Sequence, residues 1–133
     1  MGRIYFAKCE NCDYEYEDYI GWAAGLDDRA KHLLKKMQRG NYGQEIKKIV
    51  AESPDCFATV SYELFVCQKC GNIERNDLIK IYDKEGAAEP KYVVEKYRCN
   101  KCKGKMQFVK IDDDFICPIC KNKIKFNPCG WWD

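Results

Sequence analysis

Polar and apolar positions change rhythm several times along the chain, and each change marks an element. Residues 3–8, from Arg3 through Ile4, Tyr5, Phe6 and Ala7 to Lys8, read as a strand. Tyr14, Glu15 and Tyr16 alternate again a few residues later. From Leu26 to Arg39 the period lengthens. Ala30, Leu33, Leu34 and Met37 recur at helical spacing, with Lys31, Lys35, Lys36 and Gln38 off that stripe. Asp27 or Asp28 is the expected N-cap, and Gly40 the stop. Ile46, Ile49 and Val50 repeat the pattern over Gln44 to Glu52, which Ser53-Pro54-Asp55 ends, so the two segments form a helical hairpin. Strand rhythm returns from Phe57 to Val66, with Ala58, Val60, Tyr62, Leu64 and Val66 on one face. Asp77 to Tyr82 is the return strand. Lys84 to Pro90 has linker composition.

Cysteines punctuate these strands. Cys99 and Cys102, then Cys117 and Cys120, form two Cys-x-x-Cys pairs with fourteen residues between them. Strand-like residues flank both pairs, and Asp112-Asp113-Asp114 supplies a turn between them. Two intervening residues make a tight knuckle that aims both sulfurs at one point. Two facing knuckles complete the tetrahedron that Zn²⁺ takes in closed structural sites. The same punctuation occurs at Cys9/Cys12 and Cys67/Cys70, with fifty-four residues between them. The natural reading joins Cys9, Cys12, Cys67 and Cys70 around one metal, with the helical hairpin inserted between them. A nested alternative joins the middle pairs across twenty-eight residues and forces the outer pairs together, which is less economical.

These signals describe an α+β chain of two small β lobes. The first spans residues 1–88 with a helical insertion at about 26–52, and the second spans residues 89–133. Small lobes bury little core, so metal crosslinks are expected to contribute to their stability. The knuckles Cys117-Pro118-Ile119-Cys120 and Cys9-Glu10-Asn11-Cys12 resemble those of the zinc-ribbon and rubredoxin-like superfamily. That resemblance implies metal and fold rather than any one activity. The glycine that commonly follows the second cysteine of such knuckles is present only as Gly71; Asp13, Lys103 and Lys121 stand in the other three places.

Charge changes the picture once the metals are counted. The formal net charge is +2. Each site of four thiolates and one Zn²⁺ carries about −2, which brings the chain to about −2. With one site assigned to each lobe, residues 1–88 sit near −4 and residues 89–133 near +2 (roughly, on the same charge per site). The near-neutral to acidic balance favours a protein partner. The alternative is nucleic acid on the basic second lobe, where Tyr92, Tyr97 and Phe108 mix with Lys91, Lys96, Arg98, Lys105 and Lys110.

No apolar run approaches the ~18 residues of a membrane helix, and the acid-rich N-terminus has no signal-peptide core. Cysteine-rich and without an export signal, the chain is expected to be cytoplasmic, with thiols as metal ligands rather than disulfides. No nucleophile elbow or phosphate-cradling loop is present, and the single histidine, His32, has no acid–base partner. The expected function is therefore a non-enzymatic, two-zinc protein acting as an adaptor. A rubredoxin-like electron carrier with iron in the same sulfur sites is the alternative from another class. Cys56 reads as a small buried residue, and Cys129 as a lone thiol near the C-terminus.

Overall fold

A computed structural model describes residues 2–132. Its spine is a long hairpin of β3 (Phe57–Cys67) and β4 (Ile73–Tyr82), paired antiparallel from Phe57↔Tyr82 to Val66↔Ile73. Strands β5 (Tyr92–Val94) and β6 (Met106–Val109) extend it on opposite edges, giving the order β5-β4-β3-β6. A second sheet, β2-β1-β9, joins β1 (Gly2–Lys8), β2 (Glu15–Ile20) and β9 (Asn127–Trp132). The short pair β7 (Phe115–Ile116) and β8 (Lys123–Ile124) forms a third.

Helix α1 (Leu26–Gln38) buries Leu26, Ala30, Leu33 and Met37. Together with Ile46 and Val50 of α2 (Gln44–Ala51), these side chains cover Ala58, Val60, Ile79 and Ile81 on one face of the long hairpin. The helical period of the apolar positions matches this single buried stripe. At the end of α1, Asn41 N–H reaches Lys36 C=O and Gly40 N–H reaches Met37 C=O. This is a Schellman turn, which needs the left-handed φ of +89° that Gly40 provides. The N-terminus is a correction: the cap position is Gly25, with no side-chain cap. Asp27 and Asp28 lie inside the first turn, where carboxylates favour the helix dipole, and Asp27 accepts from Trp22 Nε1 at 3.1 Å. Among the described residues no helix is long and apolar enough to cross a membrane.

The α+β class holds, and while β1–β2, β3–β4 and β7–β8 pair within the stretches 1–88 and 89–133, three further pairings run between them. β5 and β6, from the second stretch, complete the sheet of the first. β9 pairs with β1, which sets residues 127–132 beside residues 2–6. The tail at 127–132, too short to fold alone, gains a partner strand and anchors itself with Trp132. That indole lies stacked between Tyr19 and Tyr62, with centroid separations of 5.7 and 5.4 Å, and its Nε1 donates to Ile20 C=O at 3.1 Å. Gly2 is required beneath it, since a Cβ there would run into the indole ring. The linker is fastened by Lys91, whose Nζ donates to Ile49 C=O at 3.2 Å and Ser53 Oγ at 2.8 Å.

Candidate metal centres

All ten cysteines are free, and eight form two groups that could each hold a metal ion: Cys9, Cys12, Cys117 and Cys120; and Cys67, Cys70, Cys99 and Cys102. Within each group the four sulfurs lie within 4.8 Å of one another. In the outer group Cys9 and Cys120 sulfurs lie 3.4 Å apart and those of Cys12 and Cys117 3.5 Å. In the inner group the distances are 3.4 Å for Cys67 and Cys102 and 3.6 Å for Cys70 and Cys99. A tetrahedron with ~2.3 Å metal–sulfur bonds has edges of about 3.8 Å, so both groups fit such an ion with little adjustment.

The pairing corrects the expected grouping of Cys9/Cys12 with Cys67/Cys70 and of Cys99/Cys102 with Cys117/Cys120. Strand register decides it. Cys67 lies opposite Met106 in the β3–β6 pair, so the Cys99–Cys102 knuckle just before β6 arrives at the Cys67–Cys70 knuckle. The outer knuckles then meet, as the nested alternative requires. Economy of sequence separation was a weak guide because each doubling of a closed loop costs only about 0.6 kcal/mol. Seven backbone pairings on β3–β6 and β4–β5 outweigh that term.

The knuckles share a backbone pattern. Cys67, Cys99 and Cys117 each donate N–H to the carbonyl five residues on, and accept from the N–H four residues on. Cys9 makes the first of these bonds, to Tyr14 C=O. The residue after the second cysteine takes a left-handed conformation in three knuckles, with φ +80° at Gly71, +64° at Lys103 and +67° at Lys121. Lysine at such a position carries a strain of roughly 1–2 kcal/mol that glycine avoids. Lys103→Gly should therefore stabilise the metal-loaded fold by about 0.5–1 kcal/mol, part of the relief being lost to glycine's greater unfolded-state entropy. Denaturant titration would check this.

Hydrogen bonds prepare the sulfurs for a cation. The N–H groups of Cys70 and Lys69 lie 3.4 and 3.3 Å from Cys67 Sγ. The Cys70 donor, aided by Lys69 and outweighing burial, holds the Cys67 thiol down at about 6. Asn122 does the same for Cys120, first through its backbone and then through Nδ2 at 3.3 Å, again giving a value of about 6. Cys70 and Cys12 go the other way. Each accepts one backbone N–H, from Asn72 and Tyr14 respectively, yet burial and the adjacent sulfurs push both up to about 12. Four thiols this close cannot all ionise side by side, and a divalent cation removes the conflict.

Side chains without motif status support the sites. Glu74 accepts from Asn72 Nδ2 at 2.6 Å and from Asn100 N–H at 2.9 Å, tying the two inner knuckles together. Lys121 Nζ donates to Cys70 C=O at 3.3 Å and Pro118 C=O at 3.1 Å, linking an inner knuckle to an outer one. Gly104 is packed so closely that a Cβ would lie 2.8 Å from Lys69 Cβ and 3.0 Å from Cys67 Sγ. Only the position of Gly104, two residues beyond Cys102, hinted at this in the sequence. Gly104→Ala should weaken metal retention at the inner group at least tenfold and leave the outer group unchanged. Competition with a chelator of known affinity measures both.

The other candidates stand apart from the sulfur groups. His32 is exposed on α1. Cys129 is exposed on β9, and half-buried Cys56 points its thiol toward Val50 C=O at 3.9 Å. Asp112 and Asp113 lie in the turn between β6 and β7, and Asp113 N–H closes it onto Lys110 C=O at 3.0 Å. No protein-family model, curated protein or solved structure matches the chain.

Proposed function

We propose that the chain is a non-enzymatic zinc protein whose two four-cysteine centres are structural, and that it serves as a cytoplasmic binding module. The observation that carries this reading is the closure of both sulfur groups. Each offers four thiols from two opposed knuckles, which fills a tetrahedral ion and leaves no position for substrate or water. A buried thiol in each knuckle pair doubles as core. Cys9 and Cys117 pack with Ala7, Leu64 and Phe115, while Cys67 and Cys99 pack with Phe65, Leu78 and Met106. Thiolate ligation suits zinc and also iron. Zinc supplies a redox-inert crosslink, the role these core positions call for.

Elemental analysis of the purified full chain should find two zinc ions per molecule in a colourless protein. A red, redox-active preparation containing iron would replace the structural reading with electron transfer. Thiol titration of the loaded protein adds a second check. Exposed Cys129 should react quickly and Cys56 slowly, whereas prompt reaction of any of the eight paired cysteines would show an open site.

A further inference from the structure

The average charge that favoured a protein partner conceals a local concentration. Lys96, Arg98, Lys101, Lys103 and Lys105 are all exposed along the hairpin that carries the Cys99–Cys102 knuckle, and exposed Lys69 stands on the facing knuckle. None of these six forms an ion pair with another described residue. Neutralisation of the thiolates is the ordinary explanation for such cations. Here the ammonium that turns onto the knuckle carbonyls belongs to Lys121, while Lys69 and Lys101 meet sulfur through their backbone N–H groups. The six side-chain charges therefore exceed the roughly −2 of the centre beneath them.

These cations border a groove. A hollow of about 750 Å³ is lined by Gln68, Tyr92, Val93, Lys96, Lys105 and Phe108, among others. A second, of about 270 Å³, shares Lys96 and Lys105 and adds Tyr97 and Arg98. Two carboxylates, Glu45 and Glu95, also line the larger hollow and face the same space. The aromatic rings are held rather than loose. Tyr97 and Phe108 both pack on fully buried Phe65, at centroid distances of 5.1 and 5.9 Å. Half-buried rings beside unpaired cations offer surfaces for bases and charges for phosphates at neighbouring points.

We propose that this groove binds a single-stranded nucleic acid, with bases against Tyr97 and Phe108 and phosphates on Lys96, Arg98 and Lys105. This rests on the reading of the chain as a metal-stabilised binding module and names its partner class. A duplex keeps its bases stacked inside and has no use for the rings. An acidic peptide would use the cations alone.

The test is fluorescence anisotropy with the full, metal-analysed chain and labelled single-stranded RNA and DNA 12-mers. A duplex of matching sequence and a poly-glutamate peptide serve as competitors. The single strands should bind, with a log–log salt slope near about −2 for three phosphates. Lys96→Glu with Lys105→Glu should weaken binding at least tenfold at unchanged metal content. Phe108→Leu, which keeps apolar bulk against Phe65, should weaken it about fivefold or more, as expected for a lost stacking surface. Equal or tighter binding of duplex or poly-glutamate, or wild-type affinity in the lysine variant, would overturn the proposal. A chain holding two metals that binds no single strand overturns this proposal and leaves the metal reading standing. A chain that binds single strands without holding metal would do the reverse.

Discussion

Removing both metals with a strong chelator should dissolve most of the tertiary structure while sparing one part of it. Two of the three buried clusters contain cysteine sulfur as core material: Cys9 and Cys117 in one, Cys67 and Cys99 in the other. Structural zinc contributes on the order of 10 kcal/mol of apparent binding free energy per site. A whole domain has a net stability of only roughly 5–15 kcal/mol, so loss of both ions exceeds the margin. The third cluster, where α1 and α2 cover β3 and β4, has no paired cysteine and needs neither ion directly. Hydrogen exchange after chelation should show loss of protection in β1, β2, β7 and β8. Residual protection should remain in α1 and the helix-covered part of β3 and β4. Uniform retention of protection would mean that the ions are incidental to the fold.

The second large effect is expected from Cys117→Ser. Cys117 is fully buried and sits in the core with Phe115, Ile124 and Phe126, so the variant loses a ligand and leaves a hydroxyl among apolar groups. The outer site should release its metal, at a cost of several kcal/mol, and metal content should fall from two ions to one. The damage should be directional. β7, β8 and the β1–β2 turn fray, while the inner site, which shares no ligand with Cys117, keeps its ion. Thermal unfolding with metal analysis on the same sample measures both quantities. A Cys99→Ser variant should show the mirror image, losing order around β6 and the groove.

Much of the fold was legible because it is written in short-range pattern. The stripe of Ala30, Leu33 and Met37 placed α1 correctly, and the alternation of Ala58 and Val60 with Thr59 and Ser61 placed β3. Knuckle spacing identified the eight cysteines that form the two sulfur groups, because a turn of two residues between ligands is a local constraint. What failed was long-range. Nothing near Asn127 to Trp132 says that it will lie beside residues 2–6, since that pairing depends on a glycine at position 2 leaving room for an indole from position 132. The linker composition of residues 84–90 suggests a boundary, yet composition alone does not distinguish a boundary from a return turn. A chain that turns back to add β5 at the edge of β4 needs the same flexible, polar residues. Those long-range pairings are what bring the right knuckles together, and short-range pattern does not carry them. The helix cap erred for a smaller reason. Asp27 lies one position inside the helix start and accepts from Trp22 instead of capping, and an acid at either position looks alike in sequence.

The two sulfur groups are nested, outer knuckle with outer and inner with inner. Metal content of two double variants tests this arrangement most directly. Cys12→Ser with Cys120→Ser removes two ligands from one centre and should leave one ion per chain, held by Cys67, Cys70, Cys99 and Cys102. Cys12→Ser with Cys70→Ser removes one ligand from each centre and should compromise both. Should the first variant lose both ions while Cys12→Ser with Cys70→Ser keeps one, the centres join the knuckles in sequence order and the nested arrangement is wrong.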